Sequence, residues 1–181
     1  MEKTIQQYQS IIQRAKGIFL QKSLDYGTSW RILRMPSLTD QIFIKAERIR
    51  NLQESRENKV GESQESEFLG IINYCVIALM LLDKKQNEEE LEQEGMLAAL
   101  YDTYVDKAFK TMKEKNHDYG EAWRSMRISS ITDLILMKIL RLKRIEDNAG
   151  KTLISEGADA NYIDMLNYAV FCLIKFSETT K

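Results

Sequence analysis

Two stretches of this chain place the same reactive residue types at the same spacing: KSLDYGTSW at 22–30 and KNHDYGEAW at 115–123. Each supplies a lysine, an aspartate, a tyrosine, a glycine and a tryptophan. Each leads into two arginines three apart, Arg31 and Arg34 or Arg124 and Arg127, and then into Lys-x-x-Arg, as Lys45 with Arg48 and Lys138 with Arg141. Guanidinium forks and ammonium groups hold phosphate oxygens, and aromatic faces stack on a base. The retained set is what a pocket for a nucleotide, or another phosphate-bearing small molecule, requires. Arg31, Arg34, Lys45, Arg48, Arg124, Arg127, Lys138 and Arg141 are the candidates for phosphate, and Trp30, Trp123, Tyr26 and Tyr119 would flank the base, with Asp25 and Asp118 beside them.

Each residue also has a plainer use. Asp-Tyr-Gly reads as a tight turn in which Asp caps a short helix, Tyr packs and Gly takes an unusual backbone angle. Basic residues three apart share a helical face, where they can pair with the acidic ends of neighbouring helices. Only the joint retention of four basic residues beside Trp and Tyr in both copies favours the pocket.

Acids follow further along each copy. Glu62 and Glu65 in the first, and Glu156, Asp159 and Asp164 in the second, could supply oxygen ligands to Mg²⁺; Glu156, Asp159 and Asp164 are the candidate metal ligands. At a helix start such acids ordinarily complement the dipole. Asp164 differs, because it lies between Ile163 and Met165 inside an apolar run, where an unpaired carboxylate is costly. Gly70 occupies its position in the first copy, while Glu67 occupies that of Asn161. The expectation is one composite site with Glu67 and Asp164 as its catalytic acids; the alternative is that each acid is held in a salt bridge. His117 is Leu24 in the other copy, which argues against a shared imidazole, and no serine or cysteine has a plausible triad.

These residues must be positioned by a repeated scaffold. Residues 22–52 and 115–145 align without gaps at 13 of 31 positions, and a second block aligns after one insertion, keeping Asn73-Tyr74 as Asn167-Tyr168. A period this long is no solenoid unit. It fits two three-helix halves about a pseudo-two-fold axis, 1–86 and 87–181, forming one globular domain in the manner of a fused homodimer. Apolar periodicity predicts helices over about 2–21, 38–54, 65–84, 88–115, 131–147 and 158–177, with the third of each half at the centre. Ser37 with Asp40 and Ser130 with Asp133 read as helix caps, and Asn87 as the cap of a charged linker helix.

Composition agrees with an all-α fold: among 181 residues there is one proline and eight glycines, with 44% hydrophobic content. The longest apolar run, CVIALMLL, is far short of a bilayer span, and the N-terminus has no hydrophobic signal region, so no membrane partner and a cytoplasmic location are expected. A net charge of −1 excludes a strong generic attraction to nucleic acid. Cys75 and Cys172 fall at non-equivalent apolar positions, as buried thiols do. Further homo-oligomerisation stays open.

With K-x-x-D-Y-G-x-x-W, Lys-x-x-Arg on the next helix, and an acid before an apolar helix carrying Asn-Tyr, the chain resembles the nucleotide modification associated domain 1 family, as two tandem copies. The resemblance implies a role in nucleotide or DNA modification. A more distant likeness is to all-α nucleoside triphosphate pyrophosphohydrolases of the MazG and dimeric dUTPase type, which implies Mg²⁺-dependent cleavage between the α and β phosphates. Their first acidic motif is missing here, and their second survives in pieces, as Glu67-x-x-Gly70 and Asn161-x-x-Asp164. Two readings follow: a nucleotide-binding protein that hydrolyses a nucleoside triphosphate, or a non-catalytic helical binding or scaffold protein whose charges pair internally.

Overall fold

The computed structural model describes residues 1–55, 63–83, 87–91, 93–153 and 156–179, so Glu62 and the linker residues 84–86 lie outside the described residues. Those described form seven helices and no strand: α1 (Glu2–Tyr26), α2 (Met35–Ser55), α3 (Gln64–Asp83), α4 (Glu88–Leu91), α5 (Met96–Tyr119), α6 (Ile128–Asp147) and α7 (Ala158–Thr179). Short 3-10 turns, Ser29–Ile32 and Ala122–Ser125, join α1 to α2 and α5 to α6.

Three helices repeat. On α1 the buried residues Tyr8, Ile11, Ile12, Ala15 and Phe19 recur at helical spacing and make one apolar stripe. Helices α3 and α7 are buried on several sides, since Phe68, Ile71, Ile72, Cys75 and Val76 in one and Met165, Leu166, Ala169, Val170 and Cys172 in the other are all enclosed. They pack on each other at the centre, flanked by α2 and α6. Truncating a centre residue such as Ile72 to Ala costs about 2–5 kcal/mol. Helix α3 has the length and composition of a membrane span, but its apolar surface is mostly covered by the other helices.

The pseudo-two-fold relation is visible atom by atom. Lys143 Nζ reaches Asp40 Oδ1 at 3.1 Å, and its counterpart Arg50 lies 3.9 Å from Asp133. Thr39 Oγ1 bonds the Tyr162 hydroxyl at 2.9 Å and donates to Glu146, and its twin Thr132 accepts from Gln53 Nε2 at 3.1 Å. Each pair joins the start of one half's second helix to the end of the other's.

Several boundaries depart from expectation. Helices α1 and α5 run on to Tyr26 and Tyr119 because no glycine or proline falls between the expected ends and Gly27 or Gly120. The expected helix over 88–115 is interrupted: α4 ends at Leu91, and Gly95 at φ +78° starts α5. Asn87 does cap α4, its Oδ1 accepting from Glu90 N at 2.8 Å. Ser37 and Ser130 are not caps. Helices α2 and α6 begin two residues before them, with Arg127 at the N-cap of α6 in extended conformation, so both serines lie within the first turn.

Candidate functional site

Gly27 and Gly120 end the first helix of each half at φ +58° and +62°, a conformation that strains any residue with a Cβ. The following 3-10 turn brings its tryptophan back toward the same half's third helix. The tyrosine before each glycine does not pack: Tyr26 is 69% and Tyr119 74% exposed. Asp25 and Asp118 are exposed as well.

The two tryptophans have different surroundings. Trp123 is buried and lies flat on Phe171, with ring centroids 4.3 Å apart and planes 2° from parallel, and the Arg124 guanidinium sits 4.5 Å from its centroid. Ile77 stands at the position of Phe171 in the first half, where it and the half-buried Trp30 line an open cleft. That cleft encloses about 470 Å³. Lys22, Tyr26, Gly27 and Trp30 from the repeated motif line it together with Lys45, Glu67, Gly70 and Tyr74. Lys22 forms no ion pair or hydrogen bond with any described residue.

Both carboxylates singled out in the sequence are buried between cations. Glu67, 3% exposed, accepts from Lys45 Nζ at 3.1 Å and from Arg48 Nη1 at 2.7 Å. Asp164, 5% exposed, accepts from Lys115 Nζ at 2.5 Å and from Lys138 Nζ at 2.6 Å. Burial works against the charge on Lys115, but the hydrogen bond and charge of Asp164, helped by Glu156, prevail and raise its pKa. Burial, then the Asp164 charge, raises the pKa of the Tyr168 hydroxyl. Lys45 and Lys138 are equivalent residues, so the first half holds its lysine with an acid one helical turn earlier than the second does. Room for this comes from Gly70: a Cβ there would meet the Lys45 Cε at 2.7 Å. Asn161, the counterpart of Glu67, turns back to donate to Gly157 O at 2.8 Å.

Glu67 and Asp164 thus each pair with cations of their own half, the arrangement of the salt-bridge alternative rather than of one composite site. The candidate Mg²⁺ ligands do not gather on one point among the described residues. Asp164 is taken by two lysines, Glu156 stands beside Lys115, and Asp159 lines a separate depression with Asp83 and Lys107. No group of three or more acidic, histidine or cysteine side chains converges among the described residues.

Of the basic candidates, only Lys45 lines the cleft, with Arg48 behind it on Glu67. Arg31 and Arg34 face a second depression across the 3-10 turn. Arg124 fastens chain ends together, donating to Thr4 at 2.6 Å, Gln7 at 2.9 Å, Glu121 at 3.2 Å and Glu178 at 3.1 Å. Arg127 is a helix N-cap, and Arg141 is exposed near Tyr168. Sequence reasoning left Lys22, Gly70 and Tyr74 out of the site. The retained K-x-x-D-Y-G run and Asn-Tyr pair carried the signal for Lys22 and Tyr74, whereas Gly70 is visible only as a difference between copies.

A family model described as nucleotide modification associated domain 1 matches residues 22–82 and again 115–176. No curated protein and no solved structure matches the chain.

Proposed function

Because the chain belongs to the nucleotide modification associated domain 1 family, in two tandem copies, we propose that it binds a nucleotide in the first-half cleft. One observation carries this reading: Lys22, Tyr26, Gly27 and Trp30, written twice in the sequence, converge with Lys45 on one cavity. Its volume of about 470 Å³ falls within the roughly 300–1,000 Å³ usual for small-molecule sites. Tyr26, Trp30 and Tyr74 offer aromatic surface for a base, and Lys22 offers an uncommitted cation for phosphate. Phosphate-bond cleavage has less support, since both candidate acids are already neutralised by cations.

A second reading has its own observation. The paired carboxylates Glu67 and Asp164 are what a non-catalytic scaffold would contain. Tryptophan fluorescence and thermal melting against the common ribo- and deoxynucleoside mono- and triphosphates, with and without Mg²⁺, separate the two. The binding reading expects saturable quenching and a raised melting temperature with at least one nucleotide. Trp30→Leu should weaken that binding roughly 5- to 150-fold, the equivalent of about 1–3 kcal/mol of stacking. No response to any nucleotide would leave the scaffold.

A further inference from the structure

The two halves differ at one position in a way that locates the ligand's charged group. In the second half the carboxylate of Asp164 lies between Lys115 and Lys138, from the first and second helices of that half. Their twins in the first half are Lys22 and Lys45, and both line the cleft. The residue at the position of Asp164 is Gly70, and the Lys45 side chain lies over it, with Cε 2.7 Å from where a Cβ would stand. Lys45 and Arg48 both reach Glu67, whereas Lys22 forms no ion pair with a described residue. The first half thus holds Lys45 on Glu67 and leaves Lys22 without the carboxylate that its twin Lys115 meets in Asp164.

We infer that Lys22, with Lys45 beside it in the cleft, forms the subsite for a phosphoryl group, and that Asp164 takes the corresponding role toward Lys115 in the second half as a built-in carboxylate. This rests on the nucleotide reading for the rest of the ligand but not for the subsite itself. A tetrahedral dianion in the cleft beside Lys22 and Lys45 can accept hydrogen bonds from both ammonium groups, as the two oxygens of Asp164 do from Lys115 and Lys138. The second half takes no ligand of this kind, because its own carboxylate occupies the place and Trp123 is closed against Phe171. One phosphoryl group per chain is the result.

The chain has two tryptophans, one in each half, so their indole N–H resonances report the two sites separately, with Trp30→Phe assigning them. The probes are inorganic phosphate, a panel of nucleoside monophosphates, and the matched nucleosides. The subsite predicts that a monophosphate shifts the Trp30 resonance and leaves that of Trp123 in place, and that its nucleoside binds at least 10-fold more weakly. Gly70→Asp, which copies the second half, should weaken monophosphate and phosphate binding at least 10-fold. Lys22→Gln, a change at an exposed residue, should do the same and decides the matter if Gly70→Asp fails to fold. Equal binding of the monophosphate to all these proteins, or parallel movement of both resonances, overturns the subsite while leaving nucleotide binding intact. Should inorganic phosphate alone shift Trp30 and lose that effect in the variants, the subsite stands and the nucleotide reading falls. If neither phosphate nor any monophosphate shifts Trp30, both fall.

Discussion

The Tyr8 hydroxyl of α1 donates at 2.8 Å to Oδ1 of Asn167 on α7, in the opposite half of the chain. Its mirror is the bond from Tyr101 of α5 to Asn73 of α3, also 2.8 Å. Each asparagine then donates its amide to the first helix of its own half, Asn167 to Ala108 O and Asn73 to Ala15 O. Both asparagines are buried, so each half completes the hydrogen bonding of the other's core. Tyr8→Phe leaves a buried acceptor unmet and should cost about 1–3 kcal/mol. The cycle Tyr8→Phe, Asn167→Ala and the double variant, followed by urea denaturation, should show a coupling above 0.5 kcal/mol on the order expected for contacting residues. Strict additivity would mean that the bond does not hold the halves together.

The same interlock predicts the behaviour of fragments. Residues 1–86 and 87–181 produced separately should lack cooperative thermal transitions, since α3 and α7 would each expose the surface that the other covers. Mixed at equal concentration they should recover helical circular dichroism and a single melt. A cooperative melt of either fragment alone would contradict this.

Asp164→Asn removes the charge that holds the buried Lys138, which is 6% exposed. Breaking one partner of a buried pair leaves a cation without its counter-charge, so the variant should lose about 3 kcal/mol. For a chain of this size that is a fall of roughly 6–12 °C in melting temperature. Lys115, half exposed, contributes less because water screens it. Adding Mg²⁺ should change neither protein's melting temperature. An unchanged melt in Asp164→Asn, or a Mg²⁺-dependent rise in the wild type, would restore the metal reading.

Glu178 gives a pH dependence with a definite sign. Hydrogen bonds from Lys3 and Gln7, with Arg124 nearby, lower its carboxyl from the ordinary 4.5 to about 2. The folded state therefore favours the ionised form. Its contribution is complete above pH 4.5 and is lost as pH falls toward about 2. Because the group is a third exposed, the effect should stay below about 1 kcal/mol. Glu178→Gln should melt a few degrees below wild type at pH 7, and the gap should close near pH 2. A gap that persists at pH 2 would trace to packing instead.

The fold was legible because its signals are local and repeated. Helical periodicity marks α1, α2 and α6, and the duplication alone implies the pseudo-two-fold axis. Missed boundaries fall where a helix start is set by backbone geometry: Arg127 caps α6 from an extended conformation with no side-chain bond, so no capping residue type advertises it. The site was legible in part. Trp30, Tyr26 and Lys45, all named from the sequence, line one cleft, but Trp123 and Arg124 look identical to their twins in sequence and differ only in what surrounds them. Phe171 in place of Ile77, and Thr4 and Gln7 reaching from the far end of the chain, decide that difference. Asp164 was recognised as an acid in need of a partner, and one sequence could not say whether a metal or a lysine would supply it.

Gly70 and Asp164 also show what covalent fusion permits. In a dimer of identical chains every substitution appears at both ends of the symmetry axis, so a carboxylate that steadies one end must appear at the other. A single chain carrying both copies is free of that duplication. One end can keep an open cleft while the other sets a carboxylate between two lysines and closes its indole on a phenylalanine. Broken symmetry of this kind lets mutation explore the open end while the closed end goes on supporting the shared core.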